Sequence, residues 1–230
     1  SPLRRLAAEP AHRDMGATLW DYGGLLRPAF YGKDETSIAT ECLDARQEAV
    51  VFDASSLGKV AVMGPKAGAL LDFLFTGRMS TLQPGRIRYG LTLNEAGVVT
   101  DDGVVLRLGP DHFLVSCSSS HVGGFVASAE EWRQTRFGRD QVFIHDRTAQ
   151  WATMSLSGPK SKPVLAGLGI VETLDDAAFP HMSFVTGQFM GRQARVARVS
   201  FTGERGYEIA VPASLAAPLW QALIHARAKD

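Results

Sequence analysis

Lys59-Val-Ala-Val-Met-Gly-Pro-Lys66 returns 94 residues later as Thr153-Met-Ser-Leu-Ser-Gly-Pro-Lys160. Each copy reads as a short strand, a Gly-Pro turn and a helix, with Leu70, Leu71 and Leu74 on the first helix and Val164, Leu165 and Leu168 on the second. Pro65 suits the first turn of its helix, where a missing N–H costs nothing. Both copies continue in one order. After the first helix the pattern predicts a hairpin from 87 to 93, a turn at Asn94-Glu-Ala-Gly97, strands over 98–108 and 112–116, and a helix over 122–136. After the second it predicts a strand over 194–201, a turn at Thr202-Gly-Glu-Arg-Gly206, a strand over 207–211 and a helix over 214–227. This is an internal repeat, the alternative being chance recurrence of a common strand–Gly-Pro–helix phrase. It implies an α+β architecture of two pseudo-repeated antiparallel-sheet-plus-helix halves, about 48–140 and about 141–230, with residues 1–47 packed on the second.

Outside the repeat the signals are weaker. Residues 1–33 read as an extended arm tacked down by Trp20, Tyr22, Phe30 and Tyr31. Residues 34–50 read as a helix with Asp34 as N-cap and Ile38, Cys42 and Ala45 on one face. The chain stops straight after an amphipathic helix, at Ala228-Lys229-Asp230, which reads as a cut inside a longer polypeptide.

Composition narrows the function classes. Of 230 residues, 45% are hydrophobic, enough for a sizeable core, and 24 Lys plus Arg balance 24 Asp plus Glu. An even charge gives no footprint for nucleic acid. Cys42 and Cys117 match no zinc or CxxC spacing and read as reduced thiols, a disulfide between them being the alternative. No signal peptide and no run of the roughly 18 apolar residues needed to span a bilayer is present. The expectation is a cytoplasmic protein with no membrane and no nucleic-acid partner. The six histidines show no metal-ligand spacing, and no GxGxxG or GxxxxGK[ST] phrase marks a dinucleotide or nucleoside triphosphate. Ser118-Ser119-Ser120-His121, and Cys117 with His121, place nucleophiles near a base without a GxSxG elbow; serine runs more often cap helices.

Two acids stand out. Strand alternation puts Asp102 with Val104, Leu106 and Leu108 on one face, and Asp101 with Gly103, Val105 and Arg107 on the other. A carboxylate on an apolar face must find a partner, shift its pKa or serve a ligand; a local hairpin cap is the alternative. Glu208 lies in the apolar strand Tyr207-Glu-Ile-Ala-Val211, either paired or guarding a sheet edge, whereas Glu204 falls in the solvated turn. If the repeat holds, Asp102 and Glu208 occupy corresponding hairpins and face the seam between the halves. Tyr89, Trp20, Trp132 and Trp151 are flat surfaces for stacking, although buried core is the commoner fate.

These stretches together resemble a known family. They are Phe52-Asp-Ala-Ser-Ser-Leu-Gly-Lys59, Arg88-Tyr-Gly-Leu-Thr-Leu-Asn-Glu95, Asp101-Asp-Gly-Val104, Gln150-Trp-Ala-Thr153, Ala178-Phe-Pro180, Arg198-Val-Ser-Phe-Thr-Gly-Glu204 and Gly206-Tyr-Glu-Ile209. Over nearly the whole chain they resemble the glycine-cleavage T-protein, or aminomethyltransferase, family. The pattern is most like the folate-binding C-terminal region of sarcosine oxidase α subunits, with Ser56-Leu57 where glycine-cleavage proteins carry His–Met. The resemblance implies an aminomethyltransferase folate-binding fold, with the family's C-terminal barrel beyond residue 230. It implies an enzyme module that binds tetrahydrofolate and traps a methylene unit as 5,10-methylenetetrahydrofolate, or else a folate-binding regulatory or subunit-interaction module without catalysis. It maps the family's catalytic carboxylate onto Asp102 and its folate contacts onto Glu208, Tyr89, Asp102 and Cys117, the last standing where T-proteins carry an amide side chain. Flavin and NAD are then expected only on other oxidase domains or subunits, which would be the partners.

Overall fold

The computed structural model describes residues 4–22, 24–32 and 35–228; the expected N-cap Asp34 lies outside them. The chain begins with β1 (Arg4–Arg5), α1 (Glu9–Asp14), β2 (Ala17–Asp21), β3 (Leu25–Tyr31), α2 (Glu35–Gln47) and β4 (Val50–Asp53). Next come β5 (Val60–Met63), α3 (Ala67–Leu74), β6 (Ile87–Leu93), β7 (Val99–Gly109), β8 (His112–Cys117), α4 (Val122–Trp132) and β9 (Phe143–Asp146). The last set is β10 (Trp151–Ser157), α5 (Ser161–Leu168), β11 (Ser183–Phe189), β12 (Arg192–Arg198), β13 (Gly206–Pro212) and α6 (Ala216–Arg227).

The chain forms two compact units, Leu57–Thr148 and Ser1–Ser56 with Ala149–Asp230. Their main sheets have the same strand order, β6-β7-β8-β5-β9 in the first and β11-β12-β13-β10-β4 in the second. The Gly-Pro phrases occupy matching places. Gly64 and Gly158 have φ of +112° and +120°, and an added Cβ would lie 2.4 Å from the Gln141 carbonyl oxygen in one case and 2.2 Å from that of Glu48 in the other. Glycine is required at both by conformation and by contact. The Gly64 N–H donates to the Asp111 carbonyl and the Gly158 N–H to that of Arg205, each at 2.9 Å. The repeat is therefore a repeat of structure. Pro65 differs in detail: it sits in the turn ahead of α3, which starts at Ala67.

One feature of the topology was invisible in the sequence. β4 precedes β5 but pairs antiparallel with β10, and β9 precedes β10 but pairs antiparallel with β5. The units consequently divide after Ser56 and after Thr148, later than the expected 48 and 140.

In each unit the helices cover one face of the sheet. Val60, Val62, Val105, Phe113 and Val115 pack with Leu70 and Leu71 of α3 and Phe125 of α4. Met154, Leu156, Ile209 and Val211 pack with Val164 and Leu165 of α5 and Leu219 and Trp220 of α6. Strand alternation then puts the intervening residues on the opposite face.

The N-terminal segment is not an extended arm. β1 runs parallel and β2 antiparallel to β3 in a small sheet, and α1 packs on α6. Trp20 and Tyr22 are exposed, so the anchoring falls to other groups. His12, fully buried, lies edge-on to Trp220 at 4.4 Å, and its Nε2 is 2.9 Å from Asp53 Oδ2. Its Nδ1 is 2.8 Å from the Tyr31 hydroxyl, and the Tyr31 ring stacks on Trp220. Burial, with Asp53 and Glu41 nearby, pushes the Tyr31 phenol well up. Three polar groups that would be costly to bury singly satisfy one another. α2 also departs from expectation: Ile38 and Cys42 are exposed. Its ties are polar, with Asp44 accepting from Arg227 at 2.7 Å, Glu41 from the Tyr31 N–H at 2.8 Å, and Arg46 pairing with Glu204 at 3.2 Å. Glu204 is thus ion-paired rather than merely solvated.

β11 was not anticipated. Phe189 and Arg192 close its hairpin to β12 around Met190 and Gly191, both at positive φ. That turn favours Asn-Gly, because a left-handed conformation costs an ordinary side chain about 1 kcal/mol. Met190 is 67% exposed and contributes little burial in return. Met190→Asn is expected to raise stability by about 0.5–1 kcal/mol, read as a higher midpoint in urea with an unchanged slope.

Candidate functional site

Asp102 lies on β7 opposite Leu91, and Tyr89 on β6 opposite Val104. Both point to the face opposite α3 and α4. The Tyr89 hydroxyl donates to Asp102 Oδ2 at 2.8 Å. That bond raises the Tyr89 phenol above its usual range. Asp102 is exposed, so the expected desolvation is not its situation. The apolar side chains on its face, Val104 and Leu106, lie deeper along the strand, and Asp102 sits towards the hairpin end. The partner that strand alternation called for is Tyr89, which is itself 54% exposed.

Asp101 points the other way, towards the helices. It is half-buried, and its Oδ2 accepts from the Ser118 N–H at 3.2 Å. Gly103, next along the face of Asp101, permits a close approach of β8: a Cβ there would lie 2.0 Å from the Ser116 carbonyl oxygen. Sequence alternation does not single out Asp101, because it marks only the face, not how deep along the strand the helices reach.

Glu208 lies on β13, paired with Ser155 of β10 and Ala197 of β12. β13 is an interior strand, which removes the edge-guard reading. Glu208 is half-buried, beside Thr153 and Ser155, which are nearly fully buried. Its face is the one opposite α5 and α6, because Ile209 and Val211 point into the helix-side core. The expectation of corresponding hairpins needs correction. Matching sheet orders equate β13 with β8, so the counterpart of Glu208 is Leu114 of β8, whereas Asp102 is on β7. What the two acids share is the face opposite the helices, each in its own unit.

Cys117 does not join the Asp102–Tyr89 face. It pairs with Gly103 and its side chain belongs to the helix-side core. An added Cβ at Gly58 would lie 2.4 Å from its Sγ. Burial, with Asp101 and Asp146 nearby, pushes the thiol up to about 12. A thiol that is neither exposed nor ionised is inert. In a thiol titration of the native chain, exposed Cys42 should react at once and Cys117 only on unfolding; fast reaction of both would contradict this placement.

The remaining candidates are dispersed. Ser120 Oγ is 3.1 Å from His121 Nδ1 on an exposed turn. Trp132 lies against Phe73 at 4.6 Å, and Arg195 covers the Trp151 ring at 5.4 Å. Among the described residues no group of three His, Cys, Asp or Glu is placed to hold a metal ion, and no helix is long and apolar enough to cross a membrane.

Known proteins resemble the chain along its length. The α subunit of sarcosine oxidase from Corynebacterium sp. (strain U-96) is 34% identical over 225 residues, covering 96% of this chain and 23% of that protein. An aminomethyltransferase from Cutibacterium acnes is 34% identical over 233 residues, covering 99% of this chain and 61% of that protein. The crystal structure of the glycine cleavage system aminomethyltransferase T from Bartonella henselae superposes with a TM-score of 0.83 at 26% identity, over 96% of this chain and 57% of that one. The chain thus spans between about a quarter and three fifths of the length of these relatives. A family model for the GCVT N-terminal domain matches residues 8–230, and with these relatives it establishes that the chain belongs to the GCVT, or aminomethyltransferase, family.

Proposed function

We propose that this chain is the tetrahydrofolate-binding one-carbon transfer module of a larger, cytoplasmic, sarcosine-oxidase-like enzyme. The observation that carries the reading is the solvent-open Asp102–Tyr89 pair, bonded at 2.8 Å, in a chain of this family. The residues suit the ligand chemically. A pterin presents adjacent N–H donors on an amide-like edge, and the Glu208 carboxylate can accept two of them side by side. Tyr89 holds Asp102 Oδ2, which aims the remaining carboxylate oxygen at an amine. Bound tetrahydrofolate supplies the nucleophilic amine that takes up a one-carbon unit, giving 5,10-methylenetetrahydrofolate.

The chain's own contribution is positioning and charge. Asp102 orients the amine, offsets positive charge as it develops, and takes up or returns a proton at Oδ1. Cys117, buried in the core, offers no side-chain contact on this face. That loss favours a second reading, folate binding without turnover. The oxidation that generates the one-carbon electrophile falls to flavin- and NAD-bearing domains or subunits, consistent with a sarcosine oxidase α subunit of which the matched stretch is 23%. Calorimetric titration of the chain with tetrahydrofolate tests the proposal. Saturable one-to-one binding is expected, and no binding by either the chain or the complete enzyme would refute it. Binding without methylene transfer in the complete enzyme would select the second reading.

A further inference from the structure

On the helix-covered side of the Leu57–Thr148 unit, a cavity of about 350 Å³ opens between the β6–β7 hairpin and the first turns of α4. It lies across the sheet from Asp102 and Tyr89, so it is separate from the face assigned to folate and does not rest on that assignment. Its floor is apolar, made by Leu74 at the end of α3 and Phe125 of α4. Among the described lining residues Asp101 is the one formal charge, none is Lys or Arg, and His121 is the other titratable group.

The polar rim is built of acceptors. The Asp101 carboxylate receives the Ser118 N–H at 3.2 Å, which uses one of about four acceptor positions. Thr92 Oγ1 donates to the Asp101 carbonyl at 3.2 Å, and Thr100 Oγ1 to the Thr92 carbonyl at 3.1 Å. The two hydroxyl oxygens also lie 3.0 Å from each other, and whichever of these bonds takes each proton, each oxygen keeps a lone pair. Gly124 adds a further observation. It lies inside α4, where glycine weakens a helix, yet it needs no positive φ and an added Cβ would meet nothing within 4 Å. Its missing side chain keeps the cavity open.

We propose that this cavity is a binding site for a small organic ammonium ion, its N–H donors held by Asp101, Thr92 and Thr100 and its apolar body seated on Leu74 and Phe125. A carboxylate with hydroxyl acceptors, and no Lys or Arg among the described lining residues, selects donors over acceptors and positive over negative charge. Size limits the guest to a compact amine.

The probe is benzylammonium, titrated into the chain while backbone amide shifts are followed by NMR. Saturable shifts are expected at Ser118, Thr92 and Gly124. Benzyl alcohol and benzoate, which keep the ring but change the donor and the charge, should bind at least about tenfold more weakly. Asp101→Asn keeps an acceptor for the Ser118 N–H, removes the charge, and should cost about tenfold or more in affinity. Gly124→Leu fills the cavity and favours the helix, so this variant should melt no lower than the parent and lose the shifts. Equal binding of the alcohol or benzoate, undiminished binding by folded Gly124→Leu, or absence of shifts at these amides would overturn the proposal. Tighter binding of Nα-acetyl-lysine N-methylamide than of benzylammonium would overturn the small-molecule assignment.

Discussion

Replacing Glu208 by alanine is expected to weaken tetrahydrofolate binding by about 100-fold, the loss of a side-by-side pair of charge-assisted hydrogen bonds. Two features make the effect large. Glu208 sits on an interior strand between β12 and β10, so its backbone is held from both sides. It is half-buried beside Thr153 and Ser155, where water competes poorly for the ligand's donors. Glu208→Gln should lose nearly as much, because its amide offers one acceptor and turns a donor towards the ligand. Calorimetry on both variants, with circular dichroism to confirm folding, checks the prediction. Unchanged affinity in a folded Glu208→Ala variant would remove this residue from the site.

Asp102→Asn is expected to act on rate rather than affinity, lowering turnover of the complete enzyme by about 10²–10³ with KM nearly unchanged. Asparagine still accepts from the Tyr89 hydroxyl, so the geometry survives while the charge and the proton acceptor are lost. Asp102 is exposed in this chain, and its carboxylate is set by one hydrogen bond rather than by burial. Tyr89→Phe separates the roles: it removes the fixing bond and leaves the carboxylate, so turnover should fall less than in Asp102→Asn. Measuring kcat and KM for the three proteins distinguishes a reacting carboxylate from a merely structural one, which would move neither parameter in Asp102→Asn.

Sequence legibility followed the range of the forces involved. The strand–Gly-Pro–helix phrases were readable because glycine at φ above +110° beside another segment's carbonyl is demanded by local sterics, and the demand is the same in both copies. Helices α3 to α6 and the β6–β7 hairpin announced themselves by apolar period. β11 did not, since Met190-Gly191 lacks the residue that normally marks such a turn. Nor did β1 to β3: prolines and glycines around aromatics suggested an arm, while pairing between β1 and β3 supplied the missing hydrogen bonds.

The candidate site divided the same way. Alternation alone placed Asp101 and Asp102 on opposite faces, and that held. It could not assign depth. The sequence favoured Asp102 as the desolvated acid, and the fold made Asp101 the more buried one, because the helices end near the hairpin on its side. Cys117 shows the limit of a family resemblance: the resemblance marks it as a folate contact, yet its side chain faces the helix-side core.

By itself, then, the chain's order of residues determined the duplicated α+β plan and the two acids worth testing, which rest on local conformation and periodic burial, and the family, which rests on the resemblance of its motifs. Tertiary structure alone decided that β4 and β9 each join the sheet of the other repeat, that His12 meets Asp53 and Tyr31 in the interior, and which of two adjacent aspartates meets solvent. Those outcomes depend on pairings between residues far apart in sequence, whose free energy exists only once the backbone has closed around them.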